Sequence, residues 1–220
     1  MMQSEHLSKQ FDADLDRLRS QVLQMGGLVE SQILGAIEGF STGNRELLDR
    51  IINNEPRVNG YEVTIDGDCS HAIVKRQPAA SDLRMIMAIS KTVTDLERIG
   101  DEAEKIARMS VRIHEHDRLN IQRFGEIRHV GNIAVQMLRQ ALDAFARLDA
   151  EQAVRVVGED AAIDDEFGAI ASDAVDLRWR RYGRHEDPGL VMKRTGGEGH
   201  GSAVIAAGSG RDAGKRDWLR

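Results

Sequence analysis

A chain of 220 residues that is 41% hydrophobic and 30% charged can bury a core, which excludes a disordered linker. Its net charge of −6 argues against wrapping nucleic acid, and no run approaches the ~18 apolar residues of a membrane span. The N-terminal MMQSEHLSKQ lacks a secretory pattern, and the single cysteine, Cys69, rules out an internal disulfide framework, so a cytoplasmic protein is expected.

The first predicted helix carries Phe11, Leu15, Leu18, Val22, Met25, Val29, Ile33, Ala36 and Phe40 at steps of three and four. That stripe is the buried face of a bundle helix. Gly26 and Gly27 interrupt it, either weakening the helix or admitting a close neighbour. A turn at Ser41-Thr42-Gly43-Asn44 ends it. A second helix runs from about Arg45 to Gln77, with Ile51, Val58, Ile65 and Ala72 seven apart, although Pro56, Gly60 and Gly67 weaken it. Pro78 breaks the chain, and Ser81 is placed to cap a third helix bearing Ile86, Ile89, Val93, Leu96, Ala103, Ile106 and Ile113. Residues 114–125 read as a polar connection in which His114 and His116 lie in a solvated loop. Helices follow at about 126–148 and 150–177.

The chain repeats itself at an offset of 105. AIEGF (36–40) falls on ALDAF (141–145), Gly26 on Gly131, Glu46 on Glu151, and Ile51 and Ile52 on Val156 and Val157. Such a period suggests two copies of a three-helix bundle. The second copy loses its pattern late. Residues 183–214 hold nine of the 21 glycines, and residues 178–220 carry 10 basic against 5 acidic side chains. A reading-frame change after Phe167 would alter periodicity, glycine content and charge together.

On the third helix Leu96, Ile99, Ala103, Ile106 and Ala107 share one side. Glu97, Asp101 and Glu104 form a line at i, i+4 and i+7, with Asp95 and Glu102 elsewhere. Like charges one turn apart cost a few tenths of a kcal/mol, and Lys105 is placed to relieve Asp101. Oxygen ligands in such a line can hold Mg, Mn, Fe or Zn; a solvated helix face is the alternative.

RQPAASDLR (76–84) followed by KTVTDLERIGDEAEKIA (91–107) resembles the signature of PhoU-type phosphate-signalling regulators, as do the Gly pair with LVESQI (26–33) and ALDAF. The family pattern Glu/Asp-x-x-x-Asp is met by Glu97 and Asp101. The resemblance implies an all-α fold of two PhoU-like three-helix bundles in tandem, with the second incomplete or altered in this chain. Residues 1–118 form the first bundle, 119–182 a partial second, and 183–220 a Gly-rich, basic, disordered or aberrant tail.

It also implies a non-enzymatic negative regulator of the phosphate-starvation response. Such a protein would link a phosphate ABC transporter's ATPase subunit to a phosphate-sensing histidine kinase. It would be a homodimer, peripheral to the membrane, without nucleic acid. Glu97, Asp101 and Glu104 are the metal candidates, and Asp82 and Arg84 the partner-binding candidates. By the offset, Glu97 and Asp101 fall on Ser202 and Ala206, which cannot act as carboxylate ligands, while Asp187 falls on Asp82. A non-functional relic of the regulator is therefore one alternative.

Another is a carboxylate-bridged, metal-dependent helical-bundle enzyme. Glu126 and His129 form the Glu-x-x-His pair such enzymes need twice, and it occurs once here. GSGRDAGKR (208–216) fails the phosphate-loop pattern at Ser209 and Arg216. Cys69 is expected to be a structural thiol.

Overall fold

The computed structural model describes residues 2–116 and 124–159. Four long helices occur in order: α1 (Met2–Thr42), α2 (Arg45–Arg76), α3 (Ala80–His116) and α4 (Phe124–Arg147). A further helix covers residues 150–159, and no strand occurs among the described residues. The boundary at residue 183, the Gly-rich tail, Asp187, Ser202, Ala206 and the 208–216 segment lie outside them.

Helices α1, α2 and α3 pack on one another as a three-helix bundle, and α4 packs on α1. Each helix pays for its ordering by burying its stripe. On α1, Leu18, Val22, Met25 and Val29 are fully enclosed; on α2 the seven-spaced Ile51, Val58, Ile65 and Ala72 all point inward; on α3 Ile86, Ile89, Val93 and Leu96 face them. Leu138, Leu142 and Phe145 of α4 and Val156 join the same core. Full burial of each large apolar side chain contributes about 1.5–3 kcal/mol. That sum carries α2 through Pro56, Gly60 and Gly67, which are all exposed.

The 105-residue repeat is visible in the turns. Gly43 takes a left-handed φ of 67°, and Asn44 caps α2, its Oδ1 accepting from the Leu47 N–H at 3.1 Å. One repeat later Leu148 takes φ 55°, and Asp149 Oδ1 accepts from the Gln152 N–H at 2.9 Å. Leucine rarely adopts that conformation, so the repeated cap imposes it.

The α1–α4 contact is reciprocal. A Cβ on Gly26 would lie 2.6 Å from Leu142, and one on Gly131 would run into Ile37. Ile37 and Leu142 are themselves repeat mates. Each helix therefore seats its apolar knob in the other's glycine gap, across a local pseudo-two-fold axis. Gly27 meets nothing within 4 Å. Of the two readings of the glycine pair, close approach thus holds for Gly26 alone.

Two local expectations need correction. Helix α3 begins at Ala80, and the first amides bond to the Ala79 carbonyl, with Asp82 N at 3.0 Å and Leu83 N at 2.9 Å. Ser81 is already inside the first turn, and its hydroxyl lies 3.4 Å from Asp82 Oδ1 instead of capping. Helix α3 also runs through His116, so His114 is not in a loop. Its Nε2 lies 2.9 Å from the Phe40 carbonyl oxygen, and its ring covers Gly43. The helix persists because that contact anchors its last turns to the α1–α2 corner.

Candidate metal centre

Helices α2 and α3 run antiparallel, and two hydrogen bonds fix their register. Ser90 Oγ donates to Asp66 Oδ1 at 2.7 Å, and Thr94 Oγ1 donates to Glu62 Oε1 at 3.1 Å. Continued along the seam, this register brings Glu55 of α2 to Glu97 and Asp101 of α3. One carboxylate oxygen from each of the three lies within 4.8 Å of the others. All three side chains are half-buried. Among the described residues, none of the three carboxylates accepts a side-chain hydrogen bond or forms a salt bridge within the chain.

The electrostatics are those of crowded anions. Burial raises the Glu97 pKa, and Asp101, Glu62 and Glu55 raise it further against a small opposing effect of Arg98. Burial likewise raises that of Glu55, helped by Asp101 and Glu104 and opposed by Arg108. Three acids converging on a half-dry seam, none of them in a salt bridge among the described residues, offer the kind of oxygen donors a hard cation takes. The residues therefore fit a bound metal. With oxygen donors alone, the set discriminates weakly among Mg, Mn, Fe and Zn.

The other acids of the stretch are engaged. Glu104, on the same line, accepts a hydrogen bond from Arg108 Nε and is not among the three converging carboxylates. Lys105 bonds Glu102 at 2.8 Å, so the relief expected at Asp101 goes elsewhere. Asp95 is buried on another side, with Arg98 at 3.8 Å. Asp82 is half-buried and Arg84 exposed in the first turns of α3, beside exposed Leu83 and Met87. Cys69 is buried, and burial together with Asp66 and Asp68 pushes its thiol up to about 12, as suits an inert structural cysteine. His129 is exposed on α4.

Glu55 was not anticipated. Read alone it is an acid before a proline, with no charged residue four positions away on either side. Glu55, Glu62 and Asp66 do fall at i, i+7 and i+11 beside the seven-spaced core stripe. An acidic line on α2 facing the one on α3 was the available signal.

The profile of the family described as PhoU domain matches residues 22–110 and again residues 127–192. The chain belongs to the PhoU family. The phosphate-specific transport system accessory protein PhoU of Serratia marcescens is 46% identical over 169 residues, covering 76% of this chain and 68% of that protein. The corresponding homologue of Pseudomonas aeruginosa is 42% identical over 190 residues, covering 86% of this chain and 76% of its own. The crystal structure of PhoU from Pseudomonas aeruginosa superposes with a TM-score of 0.79 at 35% identity, covering 90% of this chain and 96% of that one. The phosphate transport system regulatory protein PhoU from Streptococcus pneumoniae shares the fold, with a TM-score of 0.70 at 23% identity.

The two PhoU matches begin at residues 22 and 127, the same 105-residue offset. The second is the shorter. It ends at residue 192, the counterpart of residue 87, before the acidic motif would recur. The counterpart of Glu55 is Asp160, but those of Glu97 and Asp101 are Ser202 and Ala206. The second PhoU copy therefore lacks the sequence for a matching carboxylate trio.

Proposed function

We propose that this chain is a regulatory accessory protein of a phosphate transport system. In this reading it represses the phosphate-starvation response by linking the ATPase subunit of a phosphate ABC transporter to a phosphate-sensing histidine kinase. The observation that supports it is the double match to one family, in phase with the repeat found in the sequence. The names of the relatives carry the transport role.

No described helix is long and apolar enough to cross a membrane. The chain works in the cytoplasm, peripheral to the membrane, as a homodimer and without chemistry of its own. A cation of the Mg, Mn, Fe or Zn group binds Glu55, Glu97 and Asp101. Regulation passes through the difference in affinity for a partner between two states of the bundle. Asp82, Arg84 and the neighbouring exposed Leu83 and Met87 provide a contact surface with one charged and one apolar component.

Surface-binding measurements with the purified ATPase subunit and the kinase's cytoplasmic part test the adaptor role. Saturable binding to both, weakened by Arg84→Glu, is expected. Absence of binding to either by folded protein overturns it.

A further inference from the structure

Gln32 lies in the middle of α1, within LVESQI, and the carboxylate trio leaves it unexplained. Its side chain is fully buried, yet neither its amide oxygen nor its amide nitrogen has a hydrogen-bond partner. A sealed amide with no partner is costly, and a helix-bundle core has no packing reason to hold one in place of leucine or methionine.

Its position is informative. The amide oxygen rests on Gly100, 3.2 Å from where a Cβ would stand, and Val58 Cγ1 approaches the same point to 3.1 Å. Gly100 sits between Glu97 and Asp101 on α3, and Val58 lies one turn after Glu55 on α2. The orphan amide thus lies, from the core side, against the turns of α2 and α3 that carry all three carboxylates. A side chain at position 100 would press on the amide oxygen and on Val58, so glycine leaves the amide its space on the α3 side.

We propose that Gln32 is a positioning residue for the trio: its amide N–H donates to the Glu97 carboxylate in the cation-bound state and fixes the oxygen turned toward the metal. The inference rests on the reading of Glu55, Glu97 and Asp101 as a cation site. A neutral donor suits the task. It orients a carboxylate without cancelling the charge that attracts the cation, as a lysine or arginine would. Hydrogen bonds of this outer kind typically change metal affinity ~10–100-fold. Glu97 stands about 60° around α3 from Gly100 and Asp101 about 100°, so Glu97 is the α3 acid turned closer to the amide's side of the helix.

The test uses the full chain, Mn²⁺ as the probe, calorimetric titration for affinity and thermal unfolding of the metal-free protein for stability. Gln32→Met removes the amide at nearly constant length. The metal-free variant is expected to melt at or above the parent's temperature, because an unsatisfied group is gone, while its Mn²⁺ affinity falls at least ~10-fold. Gly100→Ala pushes a methyl against the amide and is expected to weaken Mn²⁺ binding in the parent but add no further loss on Gln32→Met.

Parent-like Mn²⁺ affinity in folded Gln32→Met overturns the proposal. If that variant does not fold, parent-like affinity in Gly100→Ala overturns it instead. A parent chain that takes up no Mn²⁺ removes the cation site itself, and the role of Gln32 with it.

Discussion

Gly26 and Gly27 are adjacent on α1, yet replacing them with alanine has opposite consequences. Each substitution in isolation gains about 1 kcal/mol of helix propensity. At Gly27 nothing lies within 4 Å, so the gain is realised in full. At Gly26 the new methyl would stand 2.6 and 2.7 Å from both Leu142 methyls and 3.2 Å from its Cγ. The whole isobutyl group is opposed, and no rotation of one methyl clears it. Overpacking of this kind costs about 1–3 kcal/mol, so Gly26→Ala is expected to destabilise by up to about 2 kcal/mol net.

Urea denaturation of the full chain, followed by circular dichroism, reads both variants. The double variant Gly26→Ala with Leu142→Ala is expected to lose less than the sum of the singles, since the two share one contact. Equal stabilisation by Gly26→Ala and Gly27→Ala would refute the interlocked α1–α4 packing.

Gln77 caps α2 with φ 48° and is exposed, so Gln77→Gly is expected to stabilise the chain by about 1 kcal/mol in the same assay. Glu55 and Glu97 have carboxyl groups raised above their ordinary range, so the folded metal-free protein holds protons that the unfolded chain releases. Their contribution is therefore full below the usual carboxylate pKa and is lost as pH rises through the raised values. Glu97→Gln should flatten that decline and raise the melting temperature of metal-free protein at pH 7. Elemental analysis of purified protein should find metal in the parent and a marked loss in Glu55→Gln, while Glu104→Gln, whose parent side chain is held by Arg108, keeps most of it. Equal metal content in all three would dismiss the trio.

Much of the fold was legible in the sequence because its signals are periodic and redundant. The seven-residue spacing from Ile51 to Ala72 survived a proline and two glycines, since the breakers lie on the wet face while the core stripe decides the helix. The offset of 105 also paired residues that take matching parts in the fold. Gly26 and Gly131 proved to be the two halves of one reciprocal contact.

The site was only half legible. Glu97 and Asp101 announce themselves by turn spacing within one helix. Glu55 acquires its meaning from the register of α2 against α3, set by Ser90–Asp66 and Thr94–Glu62, and no local pattern reports a register. Gln32 was hidden for a similar reason: a glutamine on α1 reads as surface until three helices close over it. Lys105 was misassigned because both Asp101 and Glu102 lie within a turn of it, and side-chain direction decided for Glu102.

The account turns on the carboxylate trio of the first PhoU bundle serving phosphate regulation. The most direct measurement is a phosphate-repressed reporter in a bacterium deleted for its own homologue and expressing this chain. The account predicts that the parent restores repression in high phosphate and that soluble Glu97→Gln/Asp101→Asn does not. A soluble parent that leaves the reporter on, or a double variant that represses as well as the parent, would contradict it.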